Sequence, residues 1–198
     1  MIKIRSIALA IFGFAEMAAA QQPHLMAPDA QITAAVSALP QEFRAGATVL
    51  GYTSSSPSLT QLRAGDGPFI CLADDPRDER FHVACYHKSL EPFMARGREL
   101  RASGVQGGGV DSVRFAEINS GKLTMPRQPS ALYSITTQPT SVNHDTGVIT
   151  GGRQLYVVYI PFATSESTGL PKTPVQNMPW LMFPGSPKAH IMFSPTMQ

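Results

Sequence analysis

Apolar positions along the chain form short runs separated by polar, proline- and glycine-rich segments, a pattern typical of strands joined by turns. The strongest run, QLYVVYIPF at 154–162, is apolar on both faces and predicts a central, buried strand. Further strands are predicted at 48–53, 59–63, 68–73 and 131–137, and as a terminal hairpin at 180–183 and 190–193. The first three of these, with a Gly-Asp-Gly turn at 65–67, predict an antiparallel meander.

Helices are predicted at 29–39, 89–102 and 111–119. In the first helix, Asp29 is placed as an N-cap, and Ile32, Val36 and Leu39 recur at helical spacing. That spacing predicts packing through one narrow stripe. Taken together, the patterns predict an α+β fold, in which two or three helices pack against a mostly antiparallel sheet.

Residues 1–20 follow the order of a secretory signal peptide, which is basic, then apolar, then small. Lys3 and Arg5 precede an apolar run, and three alanines precede Gln21. We therefore predict an exported, periplasmic or extracellular protein with a single domain over 21–198; the alternative is a buried N-terminal helix. The apolar run is far shorter than the roughly 20 residues that span a bilayer, so no membrane segment is predicted after signal removal.

Charge argues against two classes of partner. Removing the predicted signal takes two basic residues and one acidic residue from the chain's 16 and 14, and leaves 14 and 13. A nearly neutral domain gives no reason to expect a nucleic acid or an anionic membrane as partner. The glycines at 107–109 lack the following Lys-Ser/Thr of a phosphate-binding loop, and no cofactor is predicted.

Cys71 and Cys85 are the two cysteines of the chain. In an oxidising compartment such a pair predicts a disulfide, here one that closes a loop of about 15 residues and contributes about 3 kcal/mol. The alternatives are a reactive thiol or a metal site. A redox pair is normally spaced Cys-x-x-Cys and a zinc site needs four ligands, and neither pattern occurs.

Three histidines are candidates for chemistry. His82 and His87 flank Cys85 and are the candidate metal ligands, although a spacing of five puts them on opposite faces of a strand. His190 is the candidate catalytic residue, because an apolar strand holds it where a base for acid–base chemistry could lie. The alternative is a histidine with a structural role, partly buried and hydrogen-bonded to the backbone.

No complete catalytic signature is present, since Gly-x-Ser-x-Gly is missing and no carboxylate lies near His190 in sequence. The first hypothesis is therefore a non-catalytic exported binding or structural domain with an unknown partner. The alternatives are a small hydrolase or other acid–base enzyme that uses His190, and a metal-binding protein that uses His82 and His87.

Two segments near the C-terminus carry the clearest motifs: YVVYIPFATSESTGLP at 156–171 and WLMFPGSPKAHIMFSP at 180–195. Together they resemble a family of uncharacterised exported bacterial proteins with a closing Gly-x-Pro-x-Ala-His-Ile-Met-like strand. The matching residues are Pro161, Phe162, Ala163 and Thr164, then Gly185, Pro187, Ala189, His190, Ile191 and Met192. The resemblance implies export and one fold, and it implies no activity. Phe162 departs from the pattern, in which a tyrosine is expected.

Overall fold

The computed structural model describes residues 25–175 and 178–193. The predicted signal peptide at 1–20 and its cleavage site lie outside these residues. The helices are α1 (Pro28–Val36), α2 (Gln41–Arg44), α3 (Glu91–Ala102), α4 (Gly108–Asn119) and α5 (Ser165–Thr168). The strands are β1 (Thr48–Thr53), β2 (Ser56–Arg63), β3 (Phe69–Leu72), β4 (Phe81–His87), β5 (Ser130–Thr137), β6 (Arg153–Tyr159), β7 (Trp180–Met182) and β8 (His190–Phe193). The α+β prediction is confirmed, and α2 and α5 are single turns beyond the predicted helices.

The eight strands form one sheet in the order β2-β1-β3-β4-β5-β6-β8-β7. Every described pair of neighbours is antiparallel except β1 and β3, which run parallel. The predicted 47–73 meander is therefore wrong, because β3 lies beside β1 and not beside β2. Glycines make the crossing possible: the Gly67 N–H donates to the Gly46 oxygen at 2.8 Å, and a Cβ on Gly65 would lie 2.3 Å from that oxygen.

Helix α1 packs on the first face of the sheet through small side chains. It buries Ala30, Ala34 and Ala35, whereas Ile32 and Val36 are only partly buried. The predicted stripe is confirmed only in part: Ile32 and Val36 pack against the core, and Leu39 is buried beyond the end of the helix, but alanines form the fully buried apolar surface of α1. The helix begins at Pro28, so that the predicted cap Asp29 lies within its first turn.

Helices α3 and α4 pack on the opposite face of the sheet, which is called the second face below. The core there is built around Tyr86, Leu90, Phe93, Val157 and Tyr159. Helix α4 starts at Gly108, three residues before the predicted start, so two of the three glycines at 107–109 lie in its first turn. None of the described helices is long and apolar enough to cross a membrane.

The predicted disulfide between Cys71 and Cys85 is confirmed. The two residues lie directly opposite each other on β3 and β4, with Cα atoms 4.0 Å apart and both side chains fully buried. The bridge thus joins the middle of the sheet, and the charged loop that it closes lies outside the core.

Candidate functional site

A groove of about 610 Å³ lies at the end of β6, between the chain that follows α4 and the chain that follows β6. Its size is within the range of about 300–1,000 Å³ that small-molecule sites occupy. The large apolar side chains that line it are those of Ile118, Leu123, Met125, Ile160 and Phe162. Three prolines complete an apolar lining, at positions 126, 129 and 161.

The first wall of the groove, residues 121–129, is fixed where α4 ends. Gly121 has φ +75°, the left-handed conformation that ends many helices, and the N–H groups of Lys122 and Leu123 donate to the Glu117 oxygen at 2.8 and 3.1 Å. Leu123 and Met125 then pack against the core of the second face. The wall is therefore an extension of that core.

The second wall, residues 160–163, is fixed by the connection between β7 and β8. The predicted strand continues to 162, but β6 ends at Tyr159 and the following residues bond to another loop. The N–H groups of Ile160 and Phe162 donate to the oxygens of Ala189 and Ser186 at 3.0 and 2.9 Å. In return, the Gly185 N–H donates to the Ala163 oxygen at 2.7 Å.

Phe162 and Phe183 have backbone conformations that bulky residues rarely adopt. Their φ angles are +65° and +55°, and they are the two described residues other than glycine with positive φ. A left-handed L-residue costs about 1–2 kcal/mol. Both residues also leave much of their apolar surface exposed, Phe162 by 51% and Phe183 by 40%. Strain of this kind concentrates at functional sites.

Arg127 is the single charged residue that lines the groove. Its guanidinium makes no hydrogen bond or ion pair with any described residue, and no carboxylate lines the groove among those residues. Three arginines of the neighbouring helices α3 and α4 differ, since Arg96, Arg98 and Arg114 each bind a carboxylate. The groove therefore presents an apolar surface with one free positive charge.

A buried ionic cluster is connected to the loop that holds the second wall. Arg114 is only 4% exposed; its guanidinium lies 3.7 Å from the Phe93 ring centre and donates to Asp111 and to the Phe93 oxygen. The Lys188 ammonium donates to the other oxygen of Asp111 at 2.8 Å. Burial alone would raise the pKa of Asp111, but the hydrogen bonds from Lys188 and Arg114 lower it. Asp111 thus joins α4 to the loop that holds residues 160–163.

His190 lies beside this cluster and is 5% exposed. Its Nδ1 donates to the Lys188 oxygen at 2.6 Å, and its ring packs 5.0 Å from the Tyr159 ring. Burial lowers the pKa of His190; the hydrogen bond to Lys188 opposes this effect and the Lys188 charge adds to it. Within 25–175 and 178–193, no carboxylate or serine hydroxyl hydrogen-bonds to the ring. The acid–base hypothesis stays a prediction without the partner it needs.

The structure separates the candidate metal ligands His82 and His87. On the second face of the sheet, His82 Nδ1 forms a hydrogen bond with the Thr136 hydroxyl at 2.8 Å. On the first face, the His87 ring packs against Phe69, and its Nδ1 forms a hydrogen bond with the Ser89 hydroxyl at 2.8 Å. The described part of the chain contains no group of three or more His, Cys, Asp or Glu side chains that could hold a metal ion. The metal-binding hypothesis stays a prediction that this placement does not favour.

The loop between β3 and β4 holds a carboxyl group with an unusual pKa. Burial raises the pKa of Asp74 to about 7; the His82 N–H, which donates to Asp74 Oδ1 at 2.7 Å, opposes this effect, and Asp78 and Asp75 add to it. Between about pH 4 and pH 7 the folded state therefore binds more protons than the unfolded state. The contribution to stability is fully present below about pH 4 and lost as the pH rises to about 7.

The variant Asp74→Asn keeps an acceptor for the His82 N–H and cannot ionise. We expect it to match the wild type near pH 4 and to be more stable at pH 8, by about 1 kcal/mol once partial exposure is allowed for. Urea unfolding at pH 4, 6 and 8 measures this difference. The control is Glu79→Gln in the exposed part of the same loop, because Glu79 is not among the carboxylates that act on Asp74, and little change in stability is expected. Equal stability of Asp74→Asn and the wild type at pH 8 would contradict the prediction.

Sequence reasoning did not place the groove, because its apolar residues lie in segments that look like ordinary connections or strand ends. Phe162 is the exception, since the family resemblance singles out its position. No family model matches this chain, and searches of curated proteins and of solved structures find no similar protein.

Proposed function

We propose that this protein is a non-catalytic exported binding domain whose ligand site is the groove between residues 121–129 and 160–163. The observation that carries the proposal is Phe162, a large apolar side chain that is exposed at the groove although its backbone is strained. A glycine at this position would remove the strain, and a small polar residue would remove the exposed apolar surface. The strained backbone and the exposed apolar ring are both explained if the ring contacts a ligand.

Export enters this proposal from the predicted signal at 1–20 and from the resemblance to uncharacterised exported proteins. The disulfide between Cys71 and Cys85 is consistent with an oxidising compartment. Sequencing the N-terminus of protein recovered from outside the cytoplasm tests this part. Retention of residues 1–20 in that material would overturn it.

Binding is tested with the neutral fluorescent probe N-phenyl-1-naphthylamine. We expect saturable binding to the wild type. Binding to Phe162→Ala should be about tenfold weaker, because the probe loses its contact with the exposed Phe162 ring. Phe193→Ala is the matched control, since Phe193 is a 37% exposed phenylalanine that does not line the groove. Unsaturable binding, or equal weakening by both variants, would overturn the proposal.

A second variant at the same position separates binding from stability. Phe162→Gly removes the ring and also the strain of a left-handed L-residue, whereas Phe162→Ala removes only the ring. We expect the two variants to bind the probe equally weakly, and Phe162→Gly to be the more stable by about 1 kcal/mol. Urea denaturation compares their stability. A lower stability of the glycine variant would show that the backbone is not strained there.

A further inference from the structure

The geometry points to a particular ligand class for the groove: a free amphiphile with one anionic head group, such as a long-chain carboxylate, whose charge pairs with Arg127. This inference rests on the proposed function. It adds that one charged side chain recognises the head group while the mostly apolar lining holds the hydrocarbon chain. The supporting facts are the charge of Arg127, its lack of a partner within the described residues and a lining that is otherwise mostly apolar, with Thr124 and Gln128 as its uncharged polar side chains.

Arg127 is held at the groove by its neighbours in the chain. Pro126 precedes it, and Gln128 is followed by Pro129, so the backbone on both sides is restricted by proline rings. Restricted backbone reduces the conformational entropy lost when the guanidinium binds a ligand. A guanidinium also matches the two oxygens of a carboxylate, which it binds through two parallel hydrogen bonds.

The balance of charge favours a free molecule over a lipid surface. Binding to anionic membranes normally requires a cluster of basic residues, and one guanidinium in a concave site does not supply it. A carboxylate would meet no opposing charge there, because no aspartate or glutamate lines the groove among the described residues. Glu117 is the acidic residue of α4 that is closest in sequence to the first wall, and both of its carboxylate oxygens already bind Arg96.

The test is displacement of N-phenyl-1-naphthylamine by two ligands of equal chain length, dodecanoate and dodecanol, below the concentrations at which they aggregate. We expect dodecanoate to bind the wild type about tenfold more tightly than dodecanol, and Arg127→Gln to abolish that preference. Arg127→Lys should retain part of it. Arg153→Gln is the matched control, since Arg153 is an exposed arginine outside the groove and its loss should leave the preference unchanged.

Each outcome separates the two proposals. Equal affinity of both ligands for the wild type, with probe binding that still depends on Phe162, overturns the anionic head group and leaves the groove as the site. Displacement by neither ligand together with unsaturable probe binding overturns the proposed function itself. Co-sedimentation with phosphatidylglycerol vesicles, with no preference for monomeric dodecanoate, would assign Arg127 to a membrane surface and overturn the inference.

Discussion

Gly147→Ala should destabilise the protein by about 3 kcal/mol. Gly147 has φ +74°, and a Cβ at this position would lie 2.0 Å from the Ala30 oxygen and 3.0 Å from the Ala34 nitrogen. Both contacts are with the backbone of α1, which cannot move aside as a side chain can. Strain of the left-handed backbone adds about 1 kcal/mol to the cost of overpacking, which is about 1–3 kcal/mol. Urea denaturation followed by circular dichroism measures the loss.

Gly151→Ala provides the matched control for this variant. Gly151 has φ +81° in the same connection between β5 and β6, and an added Cβ there would have no atom within 4 Å. The free energy of unfolding of Gly151→Ala should therefore fall by only about 1 kcal/mol, the cost of the left-handed backbone. If both variants lose the same stability, the close contact between the Gly147 loop and α1 does not stabilise the fold.

Arg114→Met should also cost about 3 kcal/mol, because it removes one partner of a buried charge pair and leaves the other. The methionine retains much of the aliphatic stem, so the loss reports mainly on the guanidinium. Asp111 keeps its bond to Lys188, which places the expected cost at the lower end for buried ion pairs. Thermal or urea unfolding provides the measurement, and a loss below about 1 kcal/mol would show that the cluster contributes little.

Gly97 allows a second, independent test of the same cluster. A Cβ on Gly97 would lie 2.8 Å from Arg114 Nη1, and that guanidinium is held by Phe93 and Asp111. Gly97→Ala should therefore destabilise the wild type although alanine is the better helix former. In the Arg114→Met background the clash is absent, and the same change should stabilise by about 1 kcal/mol. An unchanged sign in the two backgrounds would contradict this account.

The periodic parts of the chain predicted the elements well, because local patterning decides them. β1 has the predicted bounds, and the runs at 131–137 and 190–193 differ from β5 and β8 by at most one residue. β4 is not among the predicted strands, although Phe81, Val83 and Cys85 alternate along it as buried residues. Strand pairing is harder to predict. The position of β3 beside β1 depends on the close contact of Gly46 with Gly65 and Gly67, which the sequence pattern does not show.

The candidate site was less accessible to sequence reasoning than the fold. In the sequence, Phe162 ends an apolar run that predicts a strand, and only its backbone angle and exposure distinguish it from a core residue. Arg114 lies in a predicted helix that carries other polar residues, where an arginine normally faces solvent. Its burial follows from the space left by Gly97 on a neighbouring helix. Such combinations depend on residues distant in sequence, and no local pattern contains them.

The support of the second wall has a consequence for biogenesis. Residues 160–163 are held by 185–189, and Lys188 reaches back 77 positions to Asp111. Synthesis runs from the N-terminus, so the segment that completes the groove is among the last of the described residues to leave the ribosome. A nascent chain that stops before residue 185 has the first wall and the β6 edge, but nothing to hold Phe162 in place. The second wall of the groove is therefore completed only after residues 185–189 have been synthesised.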